Sequence, residues 1–336
     1  MNPCIDHYFE NYYKDNPFTL VDIGAMKGAN ERWASFGKYL KVIGFEPDKR
    51  AFEELMEMKN DKKDHIVNNI YLNTALYNEK KAVKFYITKK EGNSSLLLPN
   101  FEVLSKFPDQ DRYEVVDIKE IKVDLLDNQL KENGIQDVDF IKIDTQGSEL
   151  FILQGAIDIL RKSVFGLEIE VEFIELYKNQ PLFSDVDDFL RKLGFRLFDL
   201  RKAYWKRSAG KSIKGGKGQV IFGDALYFKE EESFFKNLEI NKKEAKVKVL
   251  KAISSCIIFG YLDYSLVLLK EALDKNIIDS QESKIIKNNI NLFSKRNLIM
   301  PDFKGKWRIA NLLHRLYKLF RQDLWAISDT EIGNIE

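Results

Sequence analysis

Asp144, Glu170 and Glu172 are the residues through which this sequence could do chemistry. Asp144 ends an alternating run that puts Phe140, Lys142 and Asp144 on one face. It therefore stands at the carboxyl end of a strand, where open α/β sheets bind their ligands. The next run, FGLEIEVEF, sends Leu167, Ile169, Val171 and Phe173 to one face and Glu168, Glu170 and Glu172 to the other. Burying carboxylates unpaired costs several kcal/mol each, so that face must meet water, a ligand, a metal or a cation such as Lys142. Asp144 with Glu170 or Glu172 then has two chemical uses. One carboxylate can be the general base for an acceptor hydroxyl, or Asp144 and Glu170 can hold a divalent cation that lowers the hydroxyl's pKa. The alternative is a structural network in which Lys142 neutralises the glutamates.

A second constellation would bring a cofactor to those carboxylates. VDIGAMKG, Val21 to Gly28, follows the apolar run Phe18, Leu20, Val21 and precedes a short helix-like segment from Asn30 to Phe36, so it reads as strand, turn, helix. Asp22 sits at the strand end, and Gly24, Ala25 and Gly28 form the turn. Glycine can take positive φ there and let a ligand approach the amides at the helix entry. Glu46 follows Gly28 by 18 residues, after the apolar run Val42, Ile43, Phe45, in the position of a carboxylate that grips a ribose diol. Thr74, Ala75 and Leu76, at the end of a third strand read over IYLNTALYN, are placed to line an adenine slot.

The remaining elements must hold these groups. Residues 5 to 14 read as a short aromatic helix stopped by Pro17, and Ala51, Phe52, Leu55 and Met56 mark a helix after Pro47. From Lys81 to Asp124 alternating segments replace helical ones, which predicts a β-rich insertion, either an edge over the crevice or a hairpin decorating the sheet. Leu150, Leu153, Ile157 and Leu160 then return to helical spacing. The basic stretch Arg201 to Gly218 reads as a loop between the last two strands. Tyr204 and Trp205 could stack on a sugar ring, and Lys206 and Arg207 could attract a phosphate-bearing acceptor, though a plain solvated loop weighs equally. Beyond Lys229 the chain turns lysine-rich and helical. It carries Leu262, Leu266, Leu269 and Leu273 at helical spacing, a capping box at Asp279 and Glu282, and a final helix over Trp307 to Trp325 with Ile309, Leu312, Leu313, Leu316 and Leu319 inward. This divides the chain into residues 1–229 and a helical extension, 230–336. The extension's expected role is packing or self-association into a homo-oligomer, with contact to a membrane surface as an alternative for the basic, aromatic last helix.

Composition limits the reading further. With 336 residues, a net charge of +1 and 31% charged residues, the chain has room for one large and one small unit and is not expected to bind nucleic acid. Cys4 and Cys256 stand at opposite ends of the chain, which suits a reducing compartment, so a cytoplasmic location is expected. Neither a signal peptide nor a transmembrane segment is apparent. His7, His65 and His314 follow no ligand spacing and are assigned no role.

Taken in order, VDIGAMKG, GFEP, DFIKIDTQGSE, EVEFIELYKNQPLFSDVDDFLRKLGFRLFDL and GQVIFGDALYF resemble the FkbM-type family of S-adenosylmethionine-dependent methyltransferases, from about Phe18 to Phe228. The resemblance implies an α/β fold, the doubly wound, Rossmann-like seven-stranded sheet of class I methyltransferases ending in an antiparallel hairpin. By the same resemblance Asp22 and Gly24 hold the amino-acid end of S-adenosylmethionine and Glu46 its ribose. Met26 departs from the family, which commonly has asparagine there. The residues themselves favour a methyl donor over a dinucleotide: the turn is GxxxG, with Met26 in place of the middle glycine that a pyrophosphate cradle needs. The expected activity is O-methylation of a sugar or other hydroxyl on a small-molecule or glycan acceptor. A nicotinamide-dependent oxidoreductase and a non-catalytic nucleotide-binding module are the alternatives.

Overall fold

A computed structural model describes residues 7–26, 28–60, 68–238, 241–294, 301–320, 324–330 and 332–333. His65 and Cys4 lie outside them. In chain order the elements of the first half are α1 (His7–Tyr13), β1 (Phe18–Ile23), a 3₁₀ segment (Glu31–Tyr39), β2 (Leu40–Phe45), α2 (Lys49–Asn60), β3 (Asn68–Leu72), β4 (Ala75–Leu76), β5 (Lys81–Thr88), α3 (Phe101–Leu104), β6 (Val115–Asp124), α4 (Leu126–Glu132) and β7 (Phe140–Ile143). There follow α5 (Glu149–Gln154), α6 (Ile157–Lys162), β8 (Gly166–Glu172), α7 (Phe183–Lys192), β9 (Phe195–Trp205) and β10 (Gln219–Lys229). Helices α8 (Glu231–Lys236), α9 (Lys242–Ile258), α10 (Leu262–Asp274), α11 (Ser280–Ser294) and α12 (Lys306–Phe320) precede a last strand, β11 (Ala326–Ser328).

The main sheet has the order β11-β9-β10-β8-β7-β1-β2-β3. Seven of these strands form the expected doubly wound sheet, parallel from β3 to β8 and closed by the antiparallel pair β10 and β9. The eighth, β11, corrects the expectation of an all-helical extension: it pairs antiparallel with β9. Three residues, Ala326 to Ser328, are too short a run to announce a strand.

The expected third strand is two. β3 ends at Leu72, where the Asn73 side chain donates to the carbonyls of Glu46 and Pro47 and turns the chain, and β4 joins a separate three-stranded sheet, β4-β6-β5. That sheet is the insertion, built on the long antiparallel ladder of β5 and β6.

Both faces of the main sheet are covered, which is why β1 is buried at every position. On one face Val21, Ile23, Ile141, Ile169 and Val171 pack under Leu126, Leu130, Leu153, Leu160 and Leu190. On the other, Phe18, Leu20, Phe140 and Phe228 meet Trp33 and Phe36 of the 3₁₀ segment and Val249, Ile253, Cys256, Phe259 and Leu268 of the C-terminal region. The composition change at Lys229 is therefore no gap between cores. A buried ionic contact fastens the same seam: Asp139, just before β7, accepts from Thr19 N at 2.8 Å, Lys251 Nζ at 2.8 Å and Lys248 Nζ at 3.1 Å. Burial alone would raise the Asp139 pKa, but the two ammonium groups outweigh it and hold the carboxyl below its ordinary value.

Within the extension the capping box is formed, with Asp279 Oδ1 accepting from Glu282 N at 2.8 Å and Glu282 Oε2 from Asp279 N at 3.1 Å. The last helix departs from expectation. α12 ends at Phe320, and Ile309, Leu312, Leu313, Leu316 and Leu319 face outward, between 43% and 78% exposed. Among the described residues no helix is long and apolar enough to cross a membrane.

Candidate functional site

Strand order reverses between β1 and β7, so their carboxyl ends open the crevice in which sheets of this kind take ligands. Gly24 makes that crevice possible. Its φ is +82°, and a Cβ there would lie 1.9 Å from the carbonyl oxygen of Asp144, so only glycine lets the two strand ends come this close. Gly24, Glu46, Thr74, Ala75, Leu76 and Asp144 all line the crevice. The insertion supplies another wall through Phe85, Glu91, Ser94 and Leu96, none of which had a signal in the sequence beyond the β pattern of its segment.

The other turn residues lie behind this lining. Ala25 is buried in the core beside Gly44, and Gly28, with φ +73°, stands near Leu55 and the Tyr71 hydroxyl. The Asp22 carboxylate is 1% exposed, and Lys142, its neighbour in register on β7, donates to it at 3.5 Å. Burial outweighs that cation and raises the Asp22 pKa. Burial also acts against the Lys142 ammonium, but Asp22, Asp144, Glu168 and Asp224 around it prevail and keep it charged.

Glu46 is 6% exposed and accepts from Asp48 N at 2.8 Å. Burial, with the nearby charges of Asp48, Asp22 and Asp144, raises its pKa from 4.5 to about 7. A folded pKa above the unfolded one adds stability that is present in full below about 4.5 and lost as the pH rises through about 7. Glu46→Gln should flatten that part of the stability profile, by about 3 kcal/mol at most, in denaturant titrations of the ligand-free protein at a series of pH values.

The carboxylate cluster differs from the expected one. Glu149, Glu170 and Glu172, all buried, bring oxygens within 4.8 Å of one another, and Asp144 is outside this group. Gln146 joins the two, its Nε2 donating to Asp144 Oδ1 at 2.9 Å and to Glu170 Oε2 at 2.6 Å. To do so Gln146 adopts φ +60°, rare for a residue with a side chain, while Tyr177 OH donates to its Oε1 at 3.2 Å. Glu149 Oε1 accepts from Thr145 N, Thr145 Oγ1 and Gly147 N. In sequence Glu149 is an acid in the first turn of a helix, an ordinary solvated position, and nothing in its spacing announces burial.

The expected neutralisation by Lys142 does not reach this group, because Lys142 is directed at Asp22, Asp144 and Glu168. Burial, compounded by the charges of Asp144, Glu172 and Glu149, pushes the Glu170 pKa well above the carboxylate range. Burial beside Glu149 and Asp144 does the same to Glu172. Burial raises Glu149 to about 7 against its backbone hydrogen bonds. Only Asp144 of the predicted catalytic residues lines the crevice; Glu170 connects to it through Gln146.

Two predicted acceptor contacts are corrected. β9 runs through Trp205, whose indole is buried edge-on to Phe107, Phe222 and Trp325 with the Arg112 guanidinium 4.7 Å from its centroid, so it has no face to offer a sugar. Lys206 is buried too, and its Nζ donates to the Ile213 carbonyl at 3.0 Å, tethering the loop it begins. Tyr204 is half-buried under Lys217, and Arg207 is exposed, bonded to Gln219. Trp205 and Lys206 read as loop residues in sequence because glycines and lysines follow; the β9–β10 ladder captures Trp205, and the Lys206 amide donates to the Trp325 carbonyl at 2.7 Å.

The FkbM methyltransferase domain model matches residues 22–197, more than half of the 336. No curated protein sequence matches the chain significantly. Similar solved structures include an FkbM methyltransferase of Methylobacillus flagellatus KT, at 19% identity over 63% of this chain and 43% of that one, TM-score 0.37. This chain thus spans less than half of that protein. Others are a precorrin-6y C5,15-methyltransferase of Geobacter metallireducens GS-15 (10% identity, 63% and 80% covered, TM-score 0.33) and M. capricolum TrmK with S-adenosyl-homocysteine (11%, 87% and 97%, 0.28). On the match over residues 22–197, the chain belongs to the FkbM methyltransferase family.

Proposed function

We propose that this chain is an S-adenosylmethionine-dependent O-methyltransferase acting on a hydroxyl of a small-molecule or glycan acceptor. The observation that carries the reading is the close approach of Gly24 to Asp144, which sets the crevice lined by Glu46, Ala75 and Leu76 directly beside a strand-end carboxylate. The lining suits this cofactor: Glu46 is positioned for a ribose diol and Thr74, Ala75 and Leu76 for an adenine, while Asp22, expected to take the ammonium, is buried behind Gly24 against Lys142 and acts on the site from outside the lining. When bound, S-adenosylmethionine supplies an electrophilic methyl group. Asp144 then takes the proton of the acceptor hydroxyl, and Gln146, bonded to Asp144 and Glu170, fixes the direction of its carboxylate. Glu149, Glu170 and Glu172 form a buried acid network beneath it.

Calorimetry tests the cofactor assignment. Glu46→Ala should weaken S-adenosylmethionine by roughly 1 to 3 kcal/mol, the range for losing a hydrogen bond to a charged group. In the parent, affinity should climb as the pH passes through about 7 and Glu46 ionises. Preferential binding of a nicotinamide dinucleotide would reject the pocket. The acceptor is found by following labelled methyl into a panel of nucleotide sugars and oligosaccharides.

A second reading assigns the three buried glutamates to a divalent cation, since they offer hard oxygen donors within 4.8 Å of one another among the described residues. Thermal melts separate the two. Under the acid-network reading, chelator and added Mg²⁺, Mn²⁺ or Ca²⁺ leave Tm unchanged, and Glu170→Gln, which copies a protonated acid, is tolerated. A metal-dependent rise in Tm that Glu170→Gln abolishes would establish the cation instead.

A further inference from the structure

We infer that α12 and the adjacent β9–β10 loop form a docking surface for an anionic lipid bilayer, on which α12 lies flat in the headgroup region. At 3.6 residues per turn, Ile309, Leu312, Leu313, Leu316, Leu319 and Phe320 fall within about half of the helix circumference. All six are exposed, Phe320 to 86%, so an apolar stripe of about three turns has no cover among the described residues. A stripe of this kind on a 15-residue helix is far beyond a scatter of single exposed leucines.

Charge identifies the occupant. Between Asp302 and Asp323 the sequence holds Lys304, Lys306, Arg308, Arg315, Lys318 and Arg321 and no acid, although the whole chain is balanced at +1. Arg308 and Arg315 flank the stripe along one margin and Lys306 along the other, while Trp307, Asn311 and His314 lie on the opposite face. Leucine and phenylalanine along one face, lysine and arginine along its margins and polar residues opposite is the pattern of a helix that binds at a membrane interface. A second copy of the chain would bury the stripe equally well, but it would gain nothing from the uniform positive charge and would be repelled by its own.

The fold places a second basic segment beside the first. Six residues after Phe320 the chain enters β11 against Trp205, within about 20 Å of the helix end, where the loop to β10 begins. Lys206 N donates to the Trp325 carbonyl at 2.7 Å, and Lys217 Nζ reaches Asp329 Oδ1 at 3.1 Å, so the chain returning from α12 is seated at the base of that loop. The loop exposes Arg207, Lys211, Lys214 and Ile213, the last to 66%. The loop and the start of β11 lie at the end of the sheet that carries the crevice, because Gln219 and Trp205 pair just beyond Phe222 and Glu172, and Ala326 pairs with Trp205.

Flotation of the full chain with vesicles tests this, using phosphatidylcholine alone and phosphatidylcholine with phosphatidylglycerol. The protein should float with the anionic vesicles, and raised salt should release it. Leu312→Glu with Leu316→Glu should abolish flotation while Tm stays unchanged, since both side chains are exposed. Arg308→Gln and Arg315→Gln should each weaken binding roughly five-fold. No flotation with either vesicle, or equal flotation with both, overturns the inference. So does a dimer in sedimentation that Leu312→Glu with Leu316→Glu dissolves in the absence of vesicle binding, which would assign the stripe to a second copy.

Discussion

A chain cut after Lys229 is expected not to fold. The cut removes Val249, Leu250, Ile253, Ile257, Phe259, Leu268 and Leu269 from one face of the main sheet, and each is buried there against Phe18, Phe140, Phe228 or their neighbours. At roughly 1.5 kcal/mol or more for each large apolar side chain, their loss amounts to about 10 kcal/mol, comparable with the whole stability of a typical domain. The cut also strips Lys248 and Lys251 from the buried Asp139, and removing the partners of a buried charge is itself worth about 3 to 5 kcal/mol. Circular dichroism, dye binding to exposed apolar surface and thermal melts of residues 1–229 check this. A cooperative transition near that of the full chain would show that the catalytic region is self-sufficient and that the seam is an interface between independent units. Lys251→Met in the full chain isolates the ionic part and should lower stability by an amount in that 3 to 5 kcal/mol range, with the acid limb of the stability profile shifted, because Asp139 holds its stabilising charge until the pH falls through its depressed pKa.

Asp144→Asn should reduce kcat by a factor on the order of 100 to 10,000 while leaving cofactor affinity in place, because the amide keeps the shape and loses the base. Gln146 gives the experiment its internal control. Gln146→Glu would set a third carboxylate between Asp144 and Glu170, both of which now accept from its amide, so it should disturb the direction of Asp144 without touching the crevice lining at Glu46 or Leu76. Single-turnover methyl transfer separates the chemical step from binding. If folded Asp144→Asn turns over at the parent rate, proton removal belongs to another group, and Asp144 serves only to shape the strand end. Activity that chelator removes and Mg²⁺ restores would transfer the role to a cation.

What the sequence made legible is what depends on period and spacing. Asp144 at a strand end, the Gly24 turn, Glu46 at the next strand end and the row of Glu168, Glu170 and Glu172 all follow from period and spacing, and the seven-stranded sheet with its antiparallel hairpin was implied by the resemblance that the ordered motifs carry. What depends on three-dimensional burial was hidden. Glu149 carries no signal that sets it apart in the first turn of its helix, Trp205 and Lys206 looked like loop residues, and α12 looked like one more helix with an inward face. In each case local chemistry permits either environment, and packing elsewhere decides. The leucines of α12 are the reverse of the usual error: their period correctly gives a helix and one apolar face, but period cannot say whether protein covers that face. β11 was invisible because three residues carry no pattern, and its existence depends on an open partner edge at β9.

That pairing governs how the protein can be made. Ala326 meets Trp205 across a sequence separation of 121 residues, among the longest-range pairings in the main sheet. Until the segment around Ala326 has been synthesised, the outer edge of β9 presents free amides and carbonyls, and until α9 and α10 have followed it, Phe18, Phe140 and Phe228 lack their cover. Contacts this distant close slowly and leave an intermediate that can pair edge to edge with another nascent chain. Slower elongation at the ribosome would therefore prolong the vulnerable state rather than relieve it, and yield should respond more to chaperones that shield strand edges than to reduced synthesis rate.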